Sequence, residues 1–341
     1  MDQDGSGPAC GIMDSSPIPA EVSAFIDRYA SFLVTGHVRP DGDALGAVVA
    51  LCRLLRQNGK QAFFAVDSVE LGATAFLIED EDTLPFEAVP STSYEAVIAL
   101  DTGAIERIDE RLRPALSGFP LLNIDHHVTN TRFGAVNWIR GDASSAGEMV
   151  YQLADAAHWP VDLKTAEALW VSLVTDTGRF SYAMTSPLTL RIAADLREKG
   201  VRSALINDRL FCTFSAASME LKKRAFATLK TEFDGLVASV FLTAADFLSV
   251  SGSKADAEDV IEIPRSLAGV KIALFFYQTP ERQSVTRLSI RTREPYDATV
   301  LAKDFGGGGH IRAAGCDVPG TPQEAYRKML EVIVRQVQEQ K

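Results

Sequence analysis

Asp125-His126-His127 closes the apolar run Phe119-Pro-Leu-Leu-Asn-Ile124. Three consecutive polar ligand types at the end of a buried strand are a poor way to fill a core. They are a good way to hold a metal at the mouth of an α/β sheet, where the C-terminal ends of strands present reactive groups. The arrangement recurs along the chain. His37-Val-Arg-Pro-Asp41-Gly-Asp43 follows Phe32-Leu-Val-Thr-Gly36, Asp101 follows Ala96-Val-Ile-Ala-Leu100, and Asp176 follows the apolar run Ala168-Leu-Trp-Val-Ser-Leu-Val174. Each apolar segment delivers a carboxylate or an imidazole at its C-terminal end.

The segments between these motifs alternate in pattern. Residues 32–35, 61–66, 96–100 and 121–124 read as strands. Residues 43–57 read as a helix with Leu45, Val48, Val49, Cys52 and Leu55 on one face, stopped by Asn58-Gly59. Ser145-Ala-Gly-Glu148 reads as a capping box opening a helix to about residue 157, and residues 165–174 as another helix. Strand–helix alternation predicts a mostly parallel sheet covered on both faces. The pattern changes after Gly200, with a basic helix at 218–229 and strands at 236–242, 270–277 and 285–291. This predicts a second, smaller α/β domain around a mixed sheet. A chain of 341 residues favours two domains. The expected division is a disordered leader at 1–17, a catalytic domain at 18–205, a partly helical linker at 206–217 and a substrate-binding domain at 218–341. The leader lacks the basic start and apolar core of a secretory signal. No apolar stretch is long enough for a membrane span.

The formal net charge of −11 argues against wrapping a long nucleic acid, which needs a broad basic surface. It leaves room for a small anionic substrate, because bound divalent cations would reverse the local field. Cys10, Cys52, Cys212 and Cys316 are scattered without metal-site spacing, as expected of reduced, mostly buried thiols in a cytoplasmic protein.

His37, Asp41, Asp43, Asp101, His126 and Asp176 offer four carboxylates and two imidazoles. Hard oxygen ligands suit Mg²⁺ or Mn²⁺, and imidazole shifts the preference toward Mn²⁺. Asp41 and Asp43 flank Gly42 and open a helix whose N-terminus favours anions. Alone, that pair reads as a helix cap. Beside three other acidic motifs it reads as half of a metal site, since clustered carboxylates without a cation repel. Asp125 reads as an orienting acceptor for His126 or His127. His127 cannot easily point the same way as His126, so it is assigned to the substrate phosphate or the leaving oxygen. Gly306-Gly-Gly-Gly309, before His310 and Ala313-Ala-Gly315, reads as a linker or as a phosphate nest. Arg179 and Phe180 read as closing a loop, Lys222, Lys223 and Arg224 as a solvated helix face, and residues 251–259 as a polar surface excursion.

The motifs resemble those of the DHH phosphoesterase superfamily: His37, Asp41 and Asp43 as motif I, Asp101 as motif II, Asp125, His126 and His127 as motif III, and Asp176 as motif IV. Gly306–His310 with Ala313-Ala-Gly315 looks like the signature of a DHHA1 domain. Together they resemble the group of oligoribonucleases (nanoRNases) and 3′-phosphoadenosine 5′-phosphate (PAP) phosphatases. The resemblance implies two divalent cations, Mn²⁺ before Mg²⁺ or Co²⁺. His37, Asp41 and Asp101 would hold one ion, and Asp43, Asp101, His126 and Asp176 the other, with Asp101 bridging. It implies catalytic roles for Asp101, Asp125 and His127, and substrate-phosphate roles for Arg291 (Arg293 being the alternative), Gly307, Gly308, Gly309 and His310. The second domain would close over the cleft. The implied reaction is hydrolysis of short oligoribonucleotides or linear dinucleotides such as pApA and pGpG to mononucleotides, and of PAP to AMP, by a water that both ions activate. The implied partners are a short RNA or nucleotide, no long duplex, no membrane, and a second copy in a homodimer. A DHH-type inorganic pyrophosphatase is disfavoured by the glycine run, and a RecJ-like exonuclease by the acidic balance. A nucleotide-binding sensor is disfavoured by the complete ligand set.

Overall fold

The computed structural model describes residues 18–66 and 71–339, so the expected leader at 1–17 lies outside the described residues. The described chain divides into two compact units, one ending at Cys212 and the other starting at Thr213.

The first unit contains α1 (Ala20–Arg28), β1 (Ser31–Thr35), α2 (Gly42–Gln57), β2 (Gln61–Phe63), β3 (Ala96–Leu100), α3 (Arg113–Leu116), β4 (Leu121–Asp125), β5 (Val136–Ile139), α4 (Ala146–Ala156), α5 (Leu163–Asp176), α6 (Pro187–Glu198) and α7 (Ser203–Phe211). Its five strands form one sheet in the order β2-β1-β3-β4-β5, and every pair is parallel. Every residue of β1, β3 and β4 is buried. A strand with no solvent face has no need to alternate, which is why these three read as largely apolar runs. One face packs Phe32, Val34, Ile98, Leu122 and Ile124 against α1, α2, α4, α5 and α6. The other packs Leu33, Val97, Ala99 and Leu121 against Tyr94, Ile108, Leu112 and Leu116. β1 has β2 on one side and β3 on the other. The sheet therefore reverses its direction of growth between β1 and β3, and such a switch point leaves a crevice at the strands' C-terminal ends.

Two expectations need correction. β2 stops at Phe63, and beyond it Ala65 forms only an isolated bridge to Leu84. Ser145 caps α4 by accepting from the Glu148 N–H at 3.0 Å. The Glu148 carboxylate does not complete the box; it accepts from the Ser144 and Thr189 hydroxyls, each at 2.6 Å. Asp176 is the last residue of α5, which contains the helix read at 165–174.

The second unit contains α8 (Ala216–Ala227), β6 (Lys230–Glu232), β7 (Val237–Leu242), α9 (Ala244–Ser249), α10 (Glu262–Arg265), β8 (Ile272–Tyr277), β9 (Val285–Thr292), α11 (Ala298–Lys303), β10 (Gly308–His310), β11 (Ala313–Pro319) and α12 (Pro322–Glu339). Its sheet has the order β10-β11-β9-β8-β7-β6 and is mixed, with β7–β8 parallel and the other pairs antiparallel. Separate apolar cores cover its two faces. Of the basic stretch of α8 only Lys223 is exposed; its neighbours are engaged. Lys222 lies over the Phe214 ring and pairs with Asp259 at 2.6 Å, and Arg224 donates to Ser249 and Asp246. The polar segment 251–259 is tied down as well, since Asp256 accepts from Ser253 N–H and from the Ser215 hydroxyl. Cys52 and Cys316 are buried thiols, whereas Cys212 is exposed.

Candidate metal centre

The six predicted ligands of the first unit meet at the C-terminal end of its sheet. His37 and Asp41 come from the β1–α2 loop, Asp43 from the first turn of α2, Asp101 from the residue after β3, His126 from the residue after β4, and Asp176 from the end of α5. Their donor atoms form two groups, His37–Asp41–Asp101 and Asp43–His126–Asp176, each gathered within 4.8 Å, and a third such group joins Asp101 and His126 to His127.

Asp101 stands between the groups. Its Oδ2 is 3.6 Å from His37 Nε2, and its Oδ1 is 3.4 Å from His126 Nε2. His37 Nε2 is also 3.7 Å from Asp41 Oδ2, and His126 Nε2 is 3.4 Å from Asp43 Oδ2 and 3.5 Å from Asp176 Oδ2. These separations are long for hydrogen bonds. They suit two ligands of one ion, because atoms about 2.1 Å from a cation and 90–110° apart around it lie roughly 3.0–3.5 Å from each other. Each imidazole is turned so that Nε2 faces the carboxylates. His37 Nδ1 stands 3.0 Å from the Val38 carbonyl and His126 Nδ1 3.3 Å from the Ala143 carbonyl. A carbonyl accepts only, so each Nδ1 carries the proton, and Nε2 is the nitrogen that could ligate a cation.

The donor set fits a cation on two further counts. Asp101 Oδ1 and Asp176 Oδ2 are buried and accept no hydrogen bond among the described residues. Buried carboxylate oxygens are rarely left so. Asp176 also ends a helix, where the backbone dipole opposes a negative charge. Burial, and then Asp101 beside it, push the Asp43 carboxyl up to about 7. Burial raises Asp176 well above the ordinary carboxylate range, with Asp43 and Asp101 adding to it against the opposing pull of His126. For His126 burial acts downward, but Asp101, Asp176 and Asp43 outweigh it and lift the imidazole well above its usual value. Without a cation, the cluster holds protons in its place.

Asp41 reconciles two readings of motif I. Its Oδ1 caps α2 by accepting from Asp43 N–H at 3.0 Å and Ala44 N–H at 3.1 Å, while its Oδ2 faces His37. The cap and the predicted ligand are the same side chain. Asp43 is fixed from outside its own helix: its Oδ2 accepts from Ala146 N–H at 2.8 Å, and its Oδ1 from Gly147 N–H at 3.1 Å and the Ser172 hydroxyl at 2.5 Å.

Asp125 settles on His127. His127 Nδ1–H donates to Asp125 Oδ1 at 2.8 Å, and the same nitrogen stands 3.5 Å from Asp101 Oδ1. Burial works against charge on both, yet this pair holds the Asp125 carboxyl low and the His127 imidazole high. Asn130, which the sequence reading passed over, donates through Nδ2 to Asp125 Oδ2 at 2.5 Å and to Asn123 Oδ1 at 2.8 Å. Asn123 in turn donates to the Thr102 carbonyl. The signal available beforehand was an asparagine inside β4, a strand otherwise apolar up to Asp125.

The predicted residues of the second unit lie on neighbouring strands. The sheet register aligns His310 with Ala313 and Ala313 with Arg291. The side chain of His310 lies outside the described residues. Arg291 is half-buried and donates to the Ile290 carbonyl, and Arg293 donates to the carbonyls of Val270 and Arg265. The glycine run is not a linker. Gly306 and Gly307 donate to Lys303 and Ala302 carbonyls and so end α11, which commits the Gly307 amide internally. Gly308 and Gly309 belong to β10, and a side chain at Gly309 would overlap the Ala313 carbonyl.

The chain matches the DHH family, N-terminal domain, over residues 31–173 and the DHHA1 domain over residues 237–339. It is 31% identical to the bifunctional oligoribonuclease and PAP phosphatase NrnA of Thermus thermophilus, over 97% of both chains. It is 29% identical to the Bacillus subtilis protein of the same name, over 87% of this chain and 92% of that one. The crystal structure of an exopolyphosphatase-related protein from Bacteroides fragilis shares the fold, with a TM-score of 0.82 at 24% identity over 92% of this chain and 95% of the other. This chain belongs to the NrnA family of DHH–DHHA1 proteins.

Proposed function

We propose that this protein is a metal-dependent phosphoesterase. It hydrolyses short oligoribonucleotides and linear dinucleotides such as pApA and pGpG to mononucleotides, and PAP to AMP. The observation that carries the reading is the division of Asp101 between two ligand groups, in a chain akin along nearly its whole length to bifunctional oligoribonuclease and PAP phosphatase NrnA. His37, Asp41 and Asp101 are assigned to one divalent cation, and Asp43, Asp101, His126 and Asp176 to a second, with Mn²⁺ favoured over Mg²⁺ or Co²⁺ by the two imidazoles. Cations there would activate the attacking water and neutralise charge on the phosphoryl oxygens. The chain's own groups do the rest. Asp125, fixed by Asn130, holds the Nδ1 proton of His127, and the His127 Nε2 is assigned to the substrate phosphate or the leaving oxygen. Asp43, held by two α4 amides and Ser172, keeps one ligand position preformed, so little ordering remains when substrate arrives. In the second unit Arg291, Gly308, Gly309 and His310 are assigned to a substrate phosphate, and a bidentate guanidinium suits that role.

The test is a panel of pApA, pGpG, an RNA pentamer, PAP and pyrophosphate with Mn²⁺, repeated in EDTA. Mn²⁺-dependent release of mononucleotides from the dinucleotides and the pentamer, and of AMP from PAP, is expected. Preferential turnover of pyrophosphate, or turnover undiminished by EDTA, would overturn the assignment.

A further inference from the structure

The loops that carry metal ligands out of the first sheet also carry arginines. Arg39 follows His37, Arg107 follows Asp101, and Arg132 follows His127 within a few residues. All three are exposed. Their side chains make no hydrogen bond, ion pair or ring contact with any described residue. Other arginines of the same unit behave differently: Arg53 and Arg56 grip Glu81 at 2.5 and 3.0 Å, and Arg140 holds Asp142 at 2.7 Å. Arg179, after Asp176, lies over the Phe211 ring. In a chain with a net charge of −11, partners for an arginine are not scarce.

The loops form one rim. Val38 N–H donates to the Arg107 carbonyl at 2.7 Å, Thr131 N–H to the Gly103 carbonyl at 2.8 Å, and Asn130 Nδ2 to the Thr102 carbonyl at 3.1 Å. The three arginines are thus fixed to one hydrogen-bonded edge beside the ligand groups. Two of them stand in the left-handed region, Arg39 at φ 55° and Arg132 at φ 54°. That region is unfavourable for a long side chain, and such outliers gather where a ligand is held.

We propose that Arg39, Arg107 and Arg132 form a cationic rim that takes the non-scissile backbone phosphates of a single-stranded oligoribonucleotide. The inference rests on the phosphoesterase reading above and extends it from the scissile bond to the flanking nucleotides. Guanidinium groups without carboxylate partners pay no exchange cost when a phosphate arrives, and phosphate contacts of this kind position a strand without reading its bases. A dinucleotide has too few phosphates to use the whole rim, so longer substrates depend on it more.

The test is the salt dependence of equilibrium binding of a fluorescent 2′-O-methyl phosphorothioate RNA pentamer to the Mn²⁺-loaded protein. Each phosphate contact on a single strand contributes about 0.7 to the slope of log affinity against log salt. The triple variant Arg39→Gln/Arg107→Gln/Arg132→Gln is expected to flatten the slope by roughly 2, with Mn²⁺ content and melting temperature unchanged. KM for a cleavable RNA pentamer should rise more than KM for pApA. Arg191→Gln, an exposed arginine of α6 away from the ligand loops, should keep the wild-type slope. If the triple variant does not fold, each single variant should lose about 0.7. An unchanged slope in folded variants of a protein that binds the pentamer overturns the rim alone. A wild-type protein that neither binds the pentamer nor hydrolyses pApA overturns the rim together with the activity it rests on.

Discussion

At the scale of the residue, Asp101 is held in the left-handed region at φ 49°, just beyond β3. Only glycine adopts this conformation without cost, and residues forced into it cluster at functional sites. The turn sends one carboxylate between His37 and His126, and no apolar or neutral side chain could occupy that point usefully. The pH response follows from the same crowding. His37 is lifted from 6.5 to about 9, because Asp41 and Asp101 outweigh the opposing effect of burial, and Asp43 is lifted from 3.8 to about 7. Both shifts are upward, so the protonated forms stabilise the metal-free fold. The Asp43 contribution is complete below about 3.8 and lost as pH rises through about 7; that of His37 is complete below 6.5 and lost through about 9. Metal binding requires the deprotonated ligands. The melting temperature in EDTA should therefore fall from pH 5 to pH 9, while the extra stability conferred by Mn²⁺ grows over the same interval. A Mn²⁺ effect constant with pH would refute this linkage. Asn130→Ala tests the support behind His127. Loss of such an orienting partner typically costs 10–100-fold in activity. The loss should fall on kcat, with metal content intact; a loss of metal instead would place Asn130 in the ligand scaffold.

At the scale of the element, how legible the fold was depended on burial. β1, β3 and β4 are buried along their whole length, and their apolar runs marked them to within a residue. β5, with Asn137 in the middle of Val136–Ile139 and a half-buried pattern, carried no such signal and was missed. α2 was read nearly to its ends, because Asp41 caps it and Asn58-Gly59 stops it. The helix before Asp176 was legible at 165–174 although an apolar run before a carboxylate reads alike for a buried strand and a buried helix; α5 runs two residues further, to Asp176 itself. The supporting shell of Asn130, Ser172 and the α4 amides was not legible, because those contacts join residues up to 129 positions apart. Close helix packing is the other hidden feature. A side chain at Gly46 would come within 2.5 Å of the Ala168 carbonyl, and one at Gly147 would overlap the Ser172 hydroxyl that holds Asp43. Gly46→Ala should destabilise the protein by about 1–3 kcal/mol through overpacking between α2 and α5, measured by chemical denaturation. A neutral or stabilising result would mean that the two helices can move apart freely.

At the scale of the whole molecule, the two units carry different proposed tasks. All six proposed metal ligands lie in the first, and the substrate-phosphate residues Arg291 and His310 in the second. His310→Ala should keep its metal content yet lose most turnover on dinucleotides, with a smaller loss on bis-p-nitrophenyl phosphate, which has no terminal phosphate to grip. Binding energy from remote parts of a substrate positions the scissile bond, and a truncated substrate cannot use it. Equal losses on both substrates would move His310 to the chemical step. No described helix is long and apolar enough to cross a membrane.

The bridging position of Asp101 is tested by the metal stoichiometry of the wild type and of folded Asp101→Ala, by elemental analysis after equilibration with Mn²⁺. The wild type is predicted to hold two ions per chain. Because Asp101 presents one oxygen to each ligand group, its loss is predicted to weaken both sites and to abolish Mn²⁺-dependent hydrolysis of pApA. An Asp101→Ala protein that still holds two ions and still cleaves pApA would show that Asp101 bridges no pair of cations.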